Sequence, residues 1–148
     1  MKDGLDTNQP KTGDGQSIFS LLRAAYALED RVEATLAAVG LSSPKFSVLG
    51  VLVAANEPMA LGELAAKLSC VKSNATQMID RLEADGLVRR IADPVDRRSV
   101  KAEITPRGRE RHAAGAEVIE SLEVRFSRAV RAEDRSAVAR MLRSIDAE

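Results

Sequence analysis

Hydrophobic residues recur every three or four positions along most of the chain, and this spacing predicts a mainly α-helical protein. The first such run covers residues 18–39 and ends at Gly40, a residue type that often follows a helix directly. A second helix is predicted to run to about Ala55, with Ser43 as its N-cap and Pro44 at its first position.

Two short amphipathic helices joined by a tight connector are predicted next. The first covers residues 61–68, and the second follows the connector 69–71 and ends near Asp85 and Gly86. Apolar side chains occupy one face of the second helix and leave a polar row on the other. The apolar face holds Ala75, Met78, Ile79 and Leu82, and the polar row holds Ser73, Asn74, Gln77 and Arg81.

A β-hairpin and two more helices complete the predicted elements. The hairpin strands cover residues 87–91 and 99–104. Thr105 and Pro106 then open a long helix to about residue 130, and a last helix starts at Glu133. In the last helix we expect the apolar residues to face inward, namely Val138, Met141, Leu142 and Ile145. The predicted fold is thus mainly α, with six helices and a small β-hairpin in the order of a winged helix-turn-helix.

The size and chemistry of this arrangement suit double-stranded DNA. A helix about 10–12 Å across fits the major groove, which is roughly 12 Å wide. Asn74 and Gln77 carry amides of the kind that pair with adenine edges, and Lys72 and Arg81 are placed to reach phosphates. Taken without its flanks, the same polar row is more often a solvated helix face. In this context we predict DNA contacts from Lys72, Ser73, Asn74, Thr76, Gln77 and Arg81.

The charge of the chain is balanced overall but uneven locally. Its 22 basic and 22 acidic residues argue against a nonspecific nucleic-acid coat. Residues 86–101, however, hold five basic side chains against Asp93 and Asp96, which indicates a basic docking face of limited size. Within it we predict that Arg97 and Arg98 enter a narrow minor groove. The alternative for both arginines is a surface ion pair with either aspartate, which is worth little.

Residues 71–108 resemble the recognition helix and wing of the MarR family, the multiple-antibiotic-resistance-type regulators. The family pattern combines a Lys/Arg-Ser-x-x-Thr helix start, an Asp-Arg-Leu-Glu-x-x-Gly-Leu-Val exit and an Asp-x-Arg wing that ends in Leu-Thr. It is matched by Lys72-Ser73, Thr76, Asp80-Arg81-Leu82-Glu83, Gly86-Leu87-Val88, Asp96, Arg98 and Ile104-Thr105. Residues 41–68 also fit the family's second and third helices, so the resemblance covers all but a polar leader, residues 1–15, expected to be disordered.

The resemblance implies a single domain over residues 16–148 with two functional parts. A DNA-binding lobe would cover about residues 43–104, and helices over about residues 17–39 and 106–146 would interlock two copies into a homodimer on a pseudo-palindromic operator. Arg98 would be the wing arginine in the minor groove, with Asp96 orienting it or a neighbouring arginine.

The same resemblance implies a repressor that a small aromatic or anionic effector releases from DNA. Lining residues for that effector would be Arg23, Tyr26 and Phe46. The chain departs from the pattern where Val71 and Ala60 replace the usual capping residues and where Ala102 replaces a larger apolar wing residue.

Other chemistry has little support in the sequence. Cys70 is read as a small buried hydrophobe rather than a redox sensor, and His112 as a partly exposed helix residue rather than part of a ligand pocket. One His and one Cys do not build a zinc site, and no cofactor is indicated. Since no catalytic motif is present in the sequence, we predict that the protein is not an enzyme.

The sequence also bears on the cellular location of the protein and on its binding partners. The sequence has neither a membrane-length apolar run nor a secretion signal, so we expect a cytoplasmic protein with no membrane partner. The alternative function is a winged-helix adaptor that binds proteins and not DNA, which would be expected to show an apolar patch on the recognition face.

Overall fold

A computed structural model describes residues 18–69, 72–96 and 99–145. In these ranges the chain forms six helices and a three-stranded antiparallel sheet, which confirms the predicted fold class. The elements are α1 (Ile18–Ala37), α2 (Ser43–Ala55), β1 (Met59–Ala60), α3 (Leu61–Lys67), α4 (Lys72–Ala84), β2 (Val88–Ala92), β3 (Val100–Ile104), α5 (Pro106–Ala129) and α6 (Ala132–Ile145). The predicted leader, Cys70 and Val71 lie outside the described residues.

The chain divides into two compact units, the first ending at Arg31 and the second beginning at Val32. Helix α1 therefore contributes to both. In the first unit, apolar side chains of α1 are exposed to solvent, among them Phe19 and Tyr26. None of the helices within residues 18–69, 72–96 and 99–145 is long and apolar enough to cross a membrane.

The start of α2 corrects one prediction. Gly40 takes the left-handed conformation expected of a residue after a helix (φ +70°). The predicted N-cap Ser43 is wrong by one position, because Ser42 has the extended backbone of a cap and its Oγ accepts a hydrogen bond from the Lys45 N–H at 3.5 Å. Ser43 is already helical, and its N–H donates to Glu33 Oε1 at 2.8 Å.

Strand β1 was not predicted from the sequence. It pairs with the central strand β3, in register Met59 with Ala102 and Ala60 with Lys101. Ala60 is also the N-cap residue of α3 and makes no side-chain capping bond, so backbone pairing holds the start of this helix. Two residues are too few to produce a detectable alternation of polar and apolar positions.

The hydrophobic core of the second unit joins α2, α3, α4 and the sheet. Helix α2 lies deepest, with Val48, Leu49 and Leu52 fully buried. The fully buried side chains on the other elements include Leu36, Leu64, Ile79, Leu82 and Val88. Because these side chains meet in one cluster, α4 and the β2–β3 hairpin are fixed to a common base.

Helix α6 differs from its prediction. Val138, expected to face inward, is exposed. The side chains of Met141, Leu142 and Ile145 lie outside the described part of the chain. Val138 is thus an apolar position that α6 does not bury within its own chain.

Candidate nucleic-acid interface

Helix α4 presents a polar face to solvent and an apolar face to the core. Ala75, Ile79 and Leu82 are 0% exposed. The four residues of the predicted polar row are all exposed, namely Ser73, Asn74, Gln77 and Arg81. Thr76 is half-buried and Lys72 is the first residue of the helix. The orientation of α4 agrees with the prediction, while the contacts of these residues with DNA remain a prediction.

The wing is the hairpin of β2 and β3, paired over five residues from Val88 opposite Ile104 to Ala92 opposite Val100. Val88, Ala102 and Ile104 are buried and fasten the hairpin to the core. The two strands of the wing are therefore anchored on a fixed base.

The turn of the wing is organised by Asp93. Its carboxylate accepts a hydrogen bond from the Val95 N–H at 2.9 Å, and this bond, together with Lys101, holds the pKa of Asp93 below its usual value despite some desolvation. The Ser99 N–H donates to the Asp96 carbonyl at 2.8 Å, which closes the turn. Arg97 and Arg98 lie outside the described residues, so the role predicted for Asp96 toward them stays a prediction.

The basic cluster predicted for residues 86–101 is largely neutralised by acidic partners. Arg89 pairs with Glu103 across the hairpin, and Lys101 Nζ lies 3.3 Å from Asp93 Oδ2. Arg90 pairs with two acids of α4. Residues 86–101 themselves contain only Asp93 and Asp96 as acids, whereas Glu103 and the α4 carboxylates come from outside that range. Among the described residues of this segment, Arg89, Arg90 and Lys101 are thus all paired with acids.

Arg90 connects the wing to helix α4, a role that sequence reasoning missed. Its Nη2 lies 2.5 Å from Asp80 Oδ1, its Nη1 donates to Glu83 Oε2, and its backbone N–H donates to Glu83 Oε1 at 3.0 Å. Partial burial lowers the pKa of Arg90, but the hydrogen bonds and charges of Asp80 and Glu83 outweigh it and raise that pKa above its ordinary value. The signal in the sequence was the spacing of the two acids, three residues apart and hence on one face of α4.

The predicted effector residues lie in different units of the chain. Arg23 and Tyr26 belong to the first unit, where Arg23 donates to Ser20 Oγ at 3.3 Å and Tyr26 is exposed. Phe46 belongs to the second unit and stacks on His112, with ring centroids 4.9 Å apart and an interplanar angle of 13°.

His112 is half-buried on α5, which confirms the prediction of a partly exposed helix residue. Desolvation lowers its pKa below the ordinary value. Among residues 18–69, 72–96 and 99–145, no group of three or more His, Cys, Asp and Glu side chains is arranged to hold a metal ion.

A groove of about 720 Å³ lies along α5 in the second unit. Thr35 and Ala38, from α1 and the turn after it, form one wall, and α5 supplies the other with Val118, Val124 and Arg125 among its residues. The groove is open and largely apolar, so it is a surface that another helix could cover.

Comparisons with known proteins agree on one family. Residues 41–100 match the model of the MarR family. The HTH-type transcriptional regulator TtmR of Methylorubrum extorquens (strain PA1) is 33% identical over 102 residues, which is 69% of this chain and 52% of TtmR. The chain spans between 46% and 60% of the length of the first curated relatives that it matches.

Two solved structures are similar over nearly the whole chain. The transcriptional repressor CouR, bound to a 23-mer DNA duplex, is 31% identical with a TM-score of 0.75, over 86% of this chain and 90% of CouR. The transcriptional regulator BldR from Sulfolobus solfataricus is also 31% identical, with a TM-score of 0.68, over 87% of this chain and 91% of BldR. The likeness therefore extends well beyond the residues 41–100 that match the family model.

Proposed function

We propose that this chain, which belongs to the MarR family, is a transcriptional regulator that binds double-stranded DNA through α4 and the β2–β3 wing. It acts by binding and not by catalysis. The observation that carries this proposal is the exposed polar row of α4, opposite an apolar face on which Ala75, Ile79 and Leu82 are fully buried. A helix held this way offers its hydrogen-bonding side chains to base edges without disturbing the core.

The alternative of a protein-binding adaptor has less support. The outward face of α4 carries hydroxyl, amide and guanidinium groups, whereas an adaptor is expected to show an apolar patch there. The curated relative TtmR is an HTH-type transcriptional regulator, and CouR is bound to a DNA duplex. A regulator of this kind works in the compartment that holds the DNA, which we take to be the cytoplasm.

The DNA-bound form in this proposal is a homodimer, joined through helices over about residues 17–39 and 106–146. Support comes from exposed apolar side chains on these helices, which include Phe19, Leu22, Tyr26, Leu28, Val124, Phe126 and Val138. Such side chains lose contact with water when a second copy covers them, and this favours association. Two copies of α4 would then enter successive major grooves roughly 34–36 Å apart on a pseudo-palindromic operator.

We propose further that the protein is a repressor that leaves its operator when a small aromatic or anionic effector binds. CouR is itself named as a repressor, which supports the direction of control. The proposed effector residues remain Arg23, Tyr26 and Phe46, with an aromatic ring and a cation suited to such a ligand. Effector binding would shift the population between two dimer geometries with different spacing of the α4 helices.

Competition binding with operator and scrambled duplexes tests the DNA proposal. Gln77→Ala should reduce the preference for operator by about tenfold to a hundredfold, because a good bidentate base contact is worth roughly 1–3 kcal/mol of discrimination. Arg81→Gln is the matched control on the same face. It should weaken binding to both duplexes alike and flatten the salt dependence, as expected for a phosphate contact.

The wing is tested by Arg98→Ala, which should weaken operator binding and flatten its salt dependence while leaving the melting temperature nearly unchanged. If the wild-type chain binds neither operator nor scrambled duplex, the proposed function is refuted. If Arg98→Ala alone binds like wild type, only the placement of the wing is refuted.

A further inference from the structure

A polar cavity of about 420 Å³ lies in the second unit, where the end of α4 meets the starts of α2 and α5. Its charged side chains are Lys45, Arg107 and Arg111 against the single carboxylate of Asp85. Three cations and one anion give the lining a net charge of +2. The cavity thus differs in character from the apolar groove along α5.

Two of the three cations stand in the first turn of a helix, where acids are favoured. Lys45 is the third residue of α2 and Arg107 the second residue of α5, and neither first turn contains an acidic residue. The N-terminal end of a helix carries partial positive charge, so basic side chains there are unfavourable for folding. Asp85 already offsets Lys45 within the lining, so Arg107 is the cation of this pair that a bound anion would offset.

The two arginines differ in how they are held. Arg111 Nη1 donates to the Val39 carbonyl at 2.7 Å. This position is open to it because Gly40 has no side chain, and a Cβ there would collide with the guanidinium. Arg107, in contrast, makes no hydrogen bond or ion pair with any residue in the described ranges. One guanidinium is therefore fixed in place, and the other has all its donors open to a ligand.

The fourth charged side chain of the lining, Asp85, offsets one of the three cations. Lys45 Nζ lies 2.5 Å from Asp85 Oδ2, so this lysine is already compensated within the wall. The charge that remains for a ligand is that of Arg107 and Arg111. Guanidinium groups bind phosphate and carboxylate oxygens with two parallel hydrogen bonds, and both anions suit this geometry.

We propose that this cavity binds a small anion with two negative charges, a phosphate monoester or a dicarboxylate, between Arg107 and Arg111. The two negative charges match the net charge of the lining. The volume lies within the usual range of about 300–1,000 Å³ for small-molecule sites, so it leaves room for an organic group beside the anion. This inference does not rest on the proposed function, since the cavity holds its charges whether or not the chain binds DNA.

Thermal melting and isothermal titration of the full chain, without DNA, test the site with two probes. Inorganic phosphate and succinate are compared with sodium chloride at matched ionic strength. A saturable rise in melting temperature with phosphate assigns a phosphate-bearing ligand, and one with succinate assigns a dicarboxylate. If neither probe binds more tightly than chloride, the proposal is overturned.

Three variants locate the binding. Arg107→Gln should lower the affinity for the probe by about tenfold to a hundredfold, because charge-assisted hydrogen bonds are lost. Arg109→Gln is the matched control, because Arg109 is exposed in the same first turns of α5 but does not line the cavity. It should keep the wild-type affinity. Asp85→Asn removes the only acid of the lining and should bind the probe more tightly.

Equal losses in Arg107→Gln and Arg109→Gln would mean diffuse attraction and would overturn the site. The site is also overturned if Arg107→Gln binds the probe as tightly as the wild-type chain does. A third outcome overturns it as well, namely that the wild-type chain binds neither probe while Arg107→Gln weakens DNA binding. In the last case the cavity would bind a phosphate of the DNA backbone and not a small anion. The Gln77→Ala experiment is read out on DNA alone, so failure of the site and failure of the proposed function are distinguishable.

Discussion

The guanidinium of Arg90 lies 2.5 Å from Asp80 and also bonds Glu83, so strand β2 of the wing is tied directly to α4. The Arg90 side chain is 26% exposed and both acids are more exposed, so these ion pairs contribute little to folding. Their effect is on geometry. They fix the angle between the two elements that we propose to bind DNA.

The first prediction concerns this link. Arg90→Gln should lower operator affinity by about tenfold, since a misaligned wing loses contacts worth roughly 1–3 kcal/mol, while the free energy of unfolding changes by less than about 1 kcal/mol. Fluorescence anisotropy and urea unfolding measure the two quantities. Arg89→Gln is the control, because Arg89 pairs with Glu103 inside the hairpin. If both variants lose affinity equally, charge and not geometry explains the effect.

The second prediction concerns assembly. Sedimentation should give about 32 kDa for the wild-type protein, twice the chain mass of 15.9 kDa. Val124→Asp should shift it toward the monomer, because Val124 is 45% exposed on α5 and a charge there would be buried by a second copy. Val95→Asp makes the same change at a 93% exposed valine of the wing turn and should leave the dimer intact. A wild-type monomer at high concentration contradicts the proposed palindromic binding.

The third prediction concerns pH. Desolvation favours neutral His112 in the folded state, so its folded pKa lies below the unfolded value of about 6.5. The unfolded state then binds more protons, and stability is lost as the pH falls from about 6.5 through the folded pKa. His112→Phe keeps a ring against Phe46 and removes the titration. Since the chain has only one histidine, urea unfolding at pH 7.5 and 5.0 should show a smaller loss for this variant. Equal losses would show that His112 titrates normally.

The fourth prediction compares two glycines. Gly108 is buried in the first turn of α5, and a Cβ there would overlap the Leu87 carbonyl oxygen. Gly108→Ala should therefore destabilise the fold by about 1–3 kcal/mol or more. Gly62 in α3 has no neighbouring atom within 4 Å of such a Cβ, so Gly62→Ala should stabilise it by up to about 1 kcal/mol. Chemical denaturation measures both changes. A neutral Gly108→Ala would mean that α5 shifts away from Leu87 at no cost.

The sequence predicts those features that depend on neighbours close along the chain. The polar and apolar faces of α4 follow from spacing of three and four residues, and Gly40 follows from its position after a helical run. Pairings between distant segments are not accessible in this way. The carboxylates that neutralise Arg90 come from α4, and the Lys45–Asp85 pair joins residues 40 positions apart. Ser42 and Ser43 are both acceptable caps by residue type, and only the backbone conformation decides between them.

Strand β1 has a consequence for how freely the sequence can vary. The start of α3 is held by main-chain bonds to β3, and every residue except proline supplies the same main-chain groups. A substitution at position 60 by any residue except proline should therefore leave the start of α3 in place, as Ala60 does without a side-chain capping bond. The start of α3 therefore depends on the backbone of a two-residue strand and not on the side chain at position 60.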